Sequence, residues 1–367
     1  MVWLYNIILM FAAVAYLLLL NMGNRRKQYD KIYIVVFSLV LILLAACRFE
    51  KGETDYYRYK LQFLQISKLN WNQVFHVEKE VGWAILLKLC SYITLNPQII
   101  FLPCALLTVI PFAWFLYKYS EDAPLSLFIF VAFNYFFTAN NTTRQYVAIG
   151  ITLIACHYAL KRKLVPFILI TLLASTIHTS AFFFLLIYPL FGLPFTKRAS
   201  VIYIILTPII VIAFPSIMSY VQQYAYDNYV EGVYGLVESN ILSFVLPCIL
   251  FSFVIIDVFS RKNPSKHNNK LASITVEDRL DNITFHMIAI LFVGIACQVF
   301  QVILAGRVTW YCNIGVCLYI PKISRIFSKK EKKIISVIVL FFATLYFLIF
   351  NALGKVFPTP YYFFWDV

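Results

Sequence analysis

Continuous apolar runs, most of them about as long as a membrane span, recur from one end of this chain to the other, and no other feature constrains its fold as much. A helix needs roughly 20 apolar residues to cross the hydrocarbon of a bilayer. Within lipid the backbone must satisfy its own hydrogen bonds, which leaves helices and closed barrels. A barrel would show short segments alternating with a period of two; these runs do not alternate. Only 13% of the 367 residues are charged, against about 25% in a soluble domain. The chain therefore reads as an all-α integral membrane protein of about twelve transmembrane helices, a single polytopic domain over 1–367.

The polar connections set the orientation. The net charge of +14 does not call for a nucleic acid, because basic residues collect in the cytoplasmic loops of polytopic proteins. Arg25-Arg26-Lys27, Lys161-Arg162-Lys163, Lys197-Arg198 and Lys329 to Lys333 fall on one side, which is then the inside, with both termini outside. Met1 to Leu20 lacks a basic leader region and reads as a retained first span. Residues 48–97 form an outer loop carrying an interfacial helix at Val81 to Ile93. Residues 219–240 form a second, tyrosine-rich outer loop, and 261–282 a cytoplasmic loop. The aromatic stretch Tyr361 to Trp365 is expected at the outer interface. The eight cysteines lie in apolar segments without metal-ligand spacing and read as small core residues. No Walker loop, dinucleotide fingerprint or zinc motif is present, so ATP-driven transport and zinc chemistry have no support.

Against that frame, a few charges stand on the wrong side. Arg48, Arg144 and Arg307 each sit at the outer end of a span, where insertion does not ask for arginine. A single one could snorkel to lipid headgroups. Three at one depth, joined by His178, point to a shared site. Guanidinium groups hold phosphate through a planar fork of donors, so a ring of them suggests a lipid-linked phosphate or pyrophosphate. Asp55, Glu78 and Glu80 accompany them, and Asp55 lies among aromatics in TDYYRY, a setting suited to sugars. Tyr224 and Asp227 repeat that mixture in the second outer loop. Gln298 and Gln301, three apart on one helix face, are placed to bond hydroxyls or to join helices. His178 is a candidate general base or phosphate contact, since imidazole titrates near working pH. Asp55 is the favoured base of the three candidates Asp55, Glu80 and His178, because its loop can approach a sugar from water. Glu80 has a bland alternative, stabilising the positive end of the helix it opens.

The pattern R-x(3)-G-x(2)-D-Y-x(2)-Y at Arg48, Gly52, Asp55, Tyr56 and Tyr59, then Glu80 with Trp83, Asn141 to Gln145, and IHTSA at Ile177 to Ala181, resembles the EpsG-like family of polysaccharide polymerases, the Wzy type. The resemblance covers about residues 45–190, with Arg307 matched beyond it; the family usually has Glu-Pro where this chain has Glu80-Val81. It implies transfer of a growing glycan from undecaprenyl pyrophosphate to the non-reducing end of a lipid-linked repeat unit. The reaction would take place at the periplasmic face of the bacterial inner membrane, without cofactor, nucleotide or metal. It also implies lipid-linked oligosaccharides as partners in the bilayer, with a flippase and a chain-length regulator alongside. Arg48, Arg144 and Arg307 would hold the pyrophosphate; Asp55, His178 or Glu80 would take the proton; Tyr56, Tyr59 and Gln145 would line the sugar. A flippase would need charges spread through the spans, whereas the mid-span segments hold almost none. A related glycan ligase and a membrane acyltransferase using His178 remain as alternatives.

Overall fold

A computed structural model describes residues 4–22, 26–49, 55–225, 242–260, 274–299, 307–323, 329–353 and 361–365. Asp227, Gln301 and Gly52 lie outside the described residues, and so does the side chain of Tyr224. The described chain is helical almost throughout, with one two-residue strand pair. It groups into two compact units, one of residues 1–186 and 320–367, the other of residues 187–319.

In the first unit, α1 (Leu4–Leu19) and α2 (Arg26–Ala46) are followed by three short helices, α3 (Asp55–Ser67), α4 (Trp71–Val77) and α5 (Val81–Ser91). Then come α6 (Phe101–Tyr119), α7 (Ala123–Ala132), α8 (Tyr135–Asn141), α9 (Thr143–Leu160) and α10 (Leu164–Ile177). A last long helix, Lys329–Ala352, packs on α1 and α7. α9 lies against both α6 and α10. Gly150 makes the first contact possible: a Cβ there would stand 2.2 Å from the Leu107 carbonyl oxygen of α6. α7 and α8 bend by 54° where Asn134 takes a left-handed conformation, φ 64°.

Local chemistry explains the short helices. Asn70 and Gln73 form a reciprocal capping box that starts α4, with bonds of 2.9 and 3.0 Å. Lys88, which interrupts the apolar run at 81–93, is buried and donates to the Ser67 carbonyl that ends α3 (2.9 Å). The expected single interfacial helix is thus the third member of a three-helix cap. Leu61, Trp71, Phe75, Leu89 and Tyr92 leave apolar surface exposed on that cap.

Four helices among the described residues are long and apolar enough to cross a membrane: Arg26–Ala46, Pro97–Tyr119, Val276–Val299 and Glu331–Ala352. The bent pair α7–α8 adds a fifth if it counts as one span. Other apolar runs of the sequence are divided: 164–191 breaks at His178 into α10 and a 3₁₀ stretch, Thr179–Phe191. Fourteen helical residues rise about 21 Å, short of a hydrocarbon core of about 30 Å.

The aromatic end of the chain folds back on α2. Tyr362 and Phe363 pair antiparallel with Phe49 and Arg48, and the Phe364 N–H donates to the Cys47 carbonyl (3.0 Å). Tyr361 is buried and its hydroxyl donates to Leu44 O (3.1 Å). Cys90, Cys104, Cys156, Cys297, Cys312 and Cys317 are buried and form no disulfide among the described residues.

The second unit contains helix Lys197–Ala225, which runs past residue 219 into the stretch read as loop, and helices Leu242–Ser260 and Val276–Val299. His286 is buried there, with Nδ1 3.0 Å from the Tyr203 hydroxyl and Nε2 3.1 Å from Leu193 O.

Candidate functional site

One polar centre of the first unit is Glu80. It precedes α5, yet its side chain makes no cap bond to that helix. The carboxylate turns instead to the end of α10. Its Oε1 meets His178 Nδ1 at 2.5 Å and accepts from the Thr179 N–H at 2.8 Å and the Thr179 hydroxyl at 3.2 Å. Its Oε2 pairs with Arg144 Nη1 at 3.0 Å. The Thr179 N–H opens a 3₁₀ stretch, so it is one of the donors a helix start leaves unused.

Close helix packing brings the partners together. A Cβ on Gly82 would lie 2.2 Å from Thr176 Oγ1, so only glycine lets the first turn of α5 rest on the last turn of α10. His178 follows directly, its backbone N–H closing α10 on Ala174 O (3.0 Å). Arg144 comes from the first turn of α9, with its guanidinium carbon 5.6 Å from the Tyr59 ring centre and 5.9 Å from that of Trp83. Trp83 Nε1 donates to Gln62 Oε1 and Gln62 Nε2 to Glu78 Oε1, both at 3.2 Å. Arg144 of α9 and His178 and Thr179 after α10 thus meet on one carboxylate, with Tyr59 of α3 and Trp83 of α5 against Arg144.

The electrostatics favour a charged Glu80. Burial pushes its carboxyl pKa up, but the His178 bond, the His178 and Arg144 charges and the Thr179 N–H outweigh burial and hold it below the usual carboxylate value. Burial raises the Tyr59 phenol well above its ordinary range, keeping it neutral beside Arg144. The side chains of Glu80, His178 and Arg144 are 10%, 16% and 19% exposed, so the cluster is sheltered but reachable.

The other candidates fall elsewhere. Arg48 is 1% exposed and directed inward: it donates to Ala45 O, to Asn140 O (2.8 Å) and to Thr143 Oγ1 (3.0 Å), over the Phe101 ring at 4.4 Å. Those contacts turn its guanidinium toward α2, α8 and α9 and away from the Glu80 cluster, where the expected ring of arginines would have placed it. Tyr56 is likewise buried, donating to Gln98 Oε1 (2.7 Å) and stacked on Phe101. Gln145 is buried in α9. Asp55 opens α3, half-buried, with a loose 4.0 Å pair to Arg58, and makes no contact with Glu80, Arg144 or His178. Arg307 and Gln298 belong to the second unit, and both are half-buried.

Sequence reasoning passed over Thr179, Gly82 and Gln98. Thr179 stood inside the IHTSA motif, where the histidine drew the attention. Gly82 and Gln98 carry no local signal, because each acts on a helix far away in sequence.

No curated protein and no solved structure matches this chain. The EpsG family model matches residues 31–363, nearly the whole length, and with the motifs at Arg48 to Tyr59 and Ile177 to Ala181 embedded in this helical frame, the chain belongs to the EpsG family.

Proposed function

We propose that this chain is a Wzy-type polysaccharide polymerase with its site at the Glu80–His178–Arg144 cluster. It moves a growing glycan from undecaprenyl pyrophosphate to the non-reducing sugar of a lipid-linked repeat unit, on the outer face of the inner membrane. Family membership supports the reaction class, and the contact of His178, Arg144 and Thr179 with one carboxylate supports the place. The remaining apolar segments complete a frame of about twelve spans with both termini outside.

His178 bonds Glu80 through Nδ1, which leaves Nε2, on the far edge of the ring, for the acceptor hydroxyl. As the acceptor oxygen bonds to the anomeric carbon, its proton passes to Nε2. The bond from that carbon to the pyrophosphate oxygen breaks, and undecaprenyl pyrophosphate leaves. Glu80 fixes the ring and stabilises the imidazolium. This replaces Asp55 as the favoured base, since Asp55 lacks a partner of that kind. Arg144 offers the edge not turned to Glu80 to the leaving phosphates, and Arg307 remains a proposed phosphate contact. Pyrophosphate is already a good leaving group, so positioning and charge stabilisation carry most of the rate, and no nucleotide or metal is invoked. A flippase would supply the repeat units and a chain-length regulator would govern the product.

The test is the lipopolysaccharide or exopolysaccharide ladder of a strain lacking the gene, backed by the purified chain in nanodiscs with lipid-linked repeat units. Loss of the ladder above one repeat supports polymerisation. Bare acceptor core would make the chain a ligase, and absence of any surface repeat would make it a flippase.

A further inference from the structure

We propose that Arg48 is a positioning residue for the site: it sets Arg144 against Glu80 by holding the junction of α8 and α9. The inference rests on the polymerase reading for its kinetic test but on geometry for its substance.

A buried guanidinium is costly unless its donors are taken. Arg48 gives its donors to three places: Ala45 O at the end of α2, Asn140 O at the end of α8, and Thr143 Oγ1 at the start of α9. The last carbonyls of a helix have no partner within it and carry partial negative charge. One cation thus meets two helix ends and the first residue of a third, and Thr143 Oγ1 itself donates to Asn140 O (2.9 Å), closing the knot. The break it grips is narrow, since only Thr142 (φ −101°, ψ 53°) separates α8 from α9. The next residue after Thr143 is Arg144. Any rotation of that first turn carries the Arg144 guanidinium off Glu80 Oε2, where it stands at 3.0 Å.

Arg48 is itself fixed from behind. Gln98 Nε2 donates to Ala46 O (2.8 Å) and Arg48 O (3.0 Å), and Tyr56 holds Gln98 in turn. The Arg48 backbone also pairs with Phe363. Arg48 and Tyr56 of the opening motif therefore build a bracket, and the bracket's free end is the turn that bears Arg144.

The experiment compares Arg48→Gln, Arg48→Lys, Arg144→Gln and the Arg48→Gln/Arg144→Gln pair in the full chain in nanodiscs. Misplacement of about 1 Å costs up to ~100-fold, so Arg48→Gln is expected to lose roughly 10–100-fold in kcat with KM little changed, and Arg48→Lys to regain part. The pair is expected to be no slower than Arg144→Gln alone, since a residue that acts through another adds nothing once that other is gone. Losses that multiply, a loss carried by KM, or normal turnover in Arg48→Gln would overturn the inference. Should Arg48→Gln fail to accumulate, Thr143→Val removes one acceptor of Arg48 together with the hydroxyl's own bond to Asn140 O (2.9 Å) and is expected to show the same kcat loss in smaller degree; full turnover there would overturn it. A wild-type chain that extends no glycan sinks the polymerase reading instead. Electron cryo-microscopy of the Arg48→Gln or Thr143→Val chain then decides: Arg144 displaced from Glu80 supports the inference, and the contact kept at 3.0 Å overturns it.

Discussion

His178 and Glu80 meet at 2.5 Å across 98 residues of chain. A carboxylate on one ring nitrogen fixes which edge of the imidazole faces outward, and so which nitrogen can accept a proton. The pairing separates two roles that either residue alone would leave ambiguous.

If His178 takes the acceptor proton, His178→Ala loses turnover by about 10²–10⁴-fold while binding of the lipid-linked repeat unit stays near wild type. Glu80→Gln keeps the shape but not the charge and falls in the same range. Asp55→Asn stays within a few fold. Single-turnover rates on purified protein measure all three, and an inactive Asp55→Asn with an active His178→Ala would return the proton to Asp55.

Arg144→Lys is expected to accumulate normally and yet to lose most polymer, because an ammonium cannot serve Glu80 and a phosphate with one planar fork. Arg307→Lys follows the same rule if it holds phosphate. Full-length ladders from both lysine variants, read beside immunoblots of protein level, would leave the arginines without a part in transfer.

Gly82→Ala tests the seat of the site. The added methyl would meet Thr176 Oγ1 at 2.2 Å and the Thr176 carbonyl carbon at 3.0 Å. Overpacking of this kind costs about 1–3 kcal/mol. The thermal midpoint drops and turnover drops with it, and Thr176→Ala in the same chain restores part of both. An unshifted midpoint would show that α5 can lift off α10 without consequence.

The carboxyl of Glu80 titrates below its ordinary value because its partners outweigh its burial. A depressed folded pKa stabilises the native state above the unfolded value, near 4.5, and that contribution is lost as pH falls through the folded value. Thermal midpoints between pH 7 and pH 3 should therefore fall more steeply in wild type than in Glu80→Gln. Parallel curves would mean that Glu80 is no more stabilised by its partners than by water.

The apolar runs made the helical membrane fold legible, because bilayer thickness demands a length that composition alone displays. Arg144 and His178 were legible for a related reason: both stand where insertion does not ask for them. Arg48 met the same criterion and turned inward, since the carbonyls of Ala45 and Asn140, at the ends of α2 and α8, offer what a phosphate would. Sequence position tells depth along a span but not which way a side chain turns. Nor could it tell that Glu80 leaves its own helix uncapped, because the partners that draw it away sit on α9 and α10. Gln98 gave no sign, and Tyr361 showed only as part of an aromatic stretch expected at the interface; both donate to carbonyls of α2 and the segment after it, which every residue carries.

The pairing of the last aromatic segment with the exit of α2 has a consequence in time. Tyr361 reaches back 317 residues to the Leu44 carbonyl. A ribosome adding about 5–20 residues per second needs on the order of tens of seconds to make that distance. Throughout it, the strand that carries Arg48 lacks its partner. The clasp on α2 comes from a segment 317 positions further along the chain, so α2 can be complete long before the contact that steadies its motif exists.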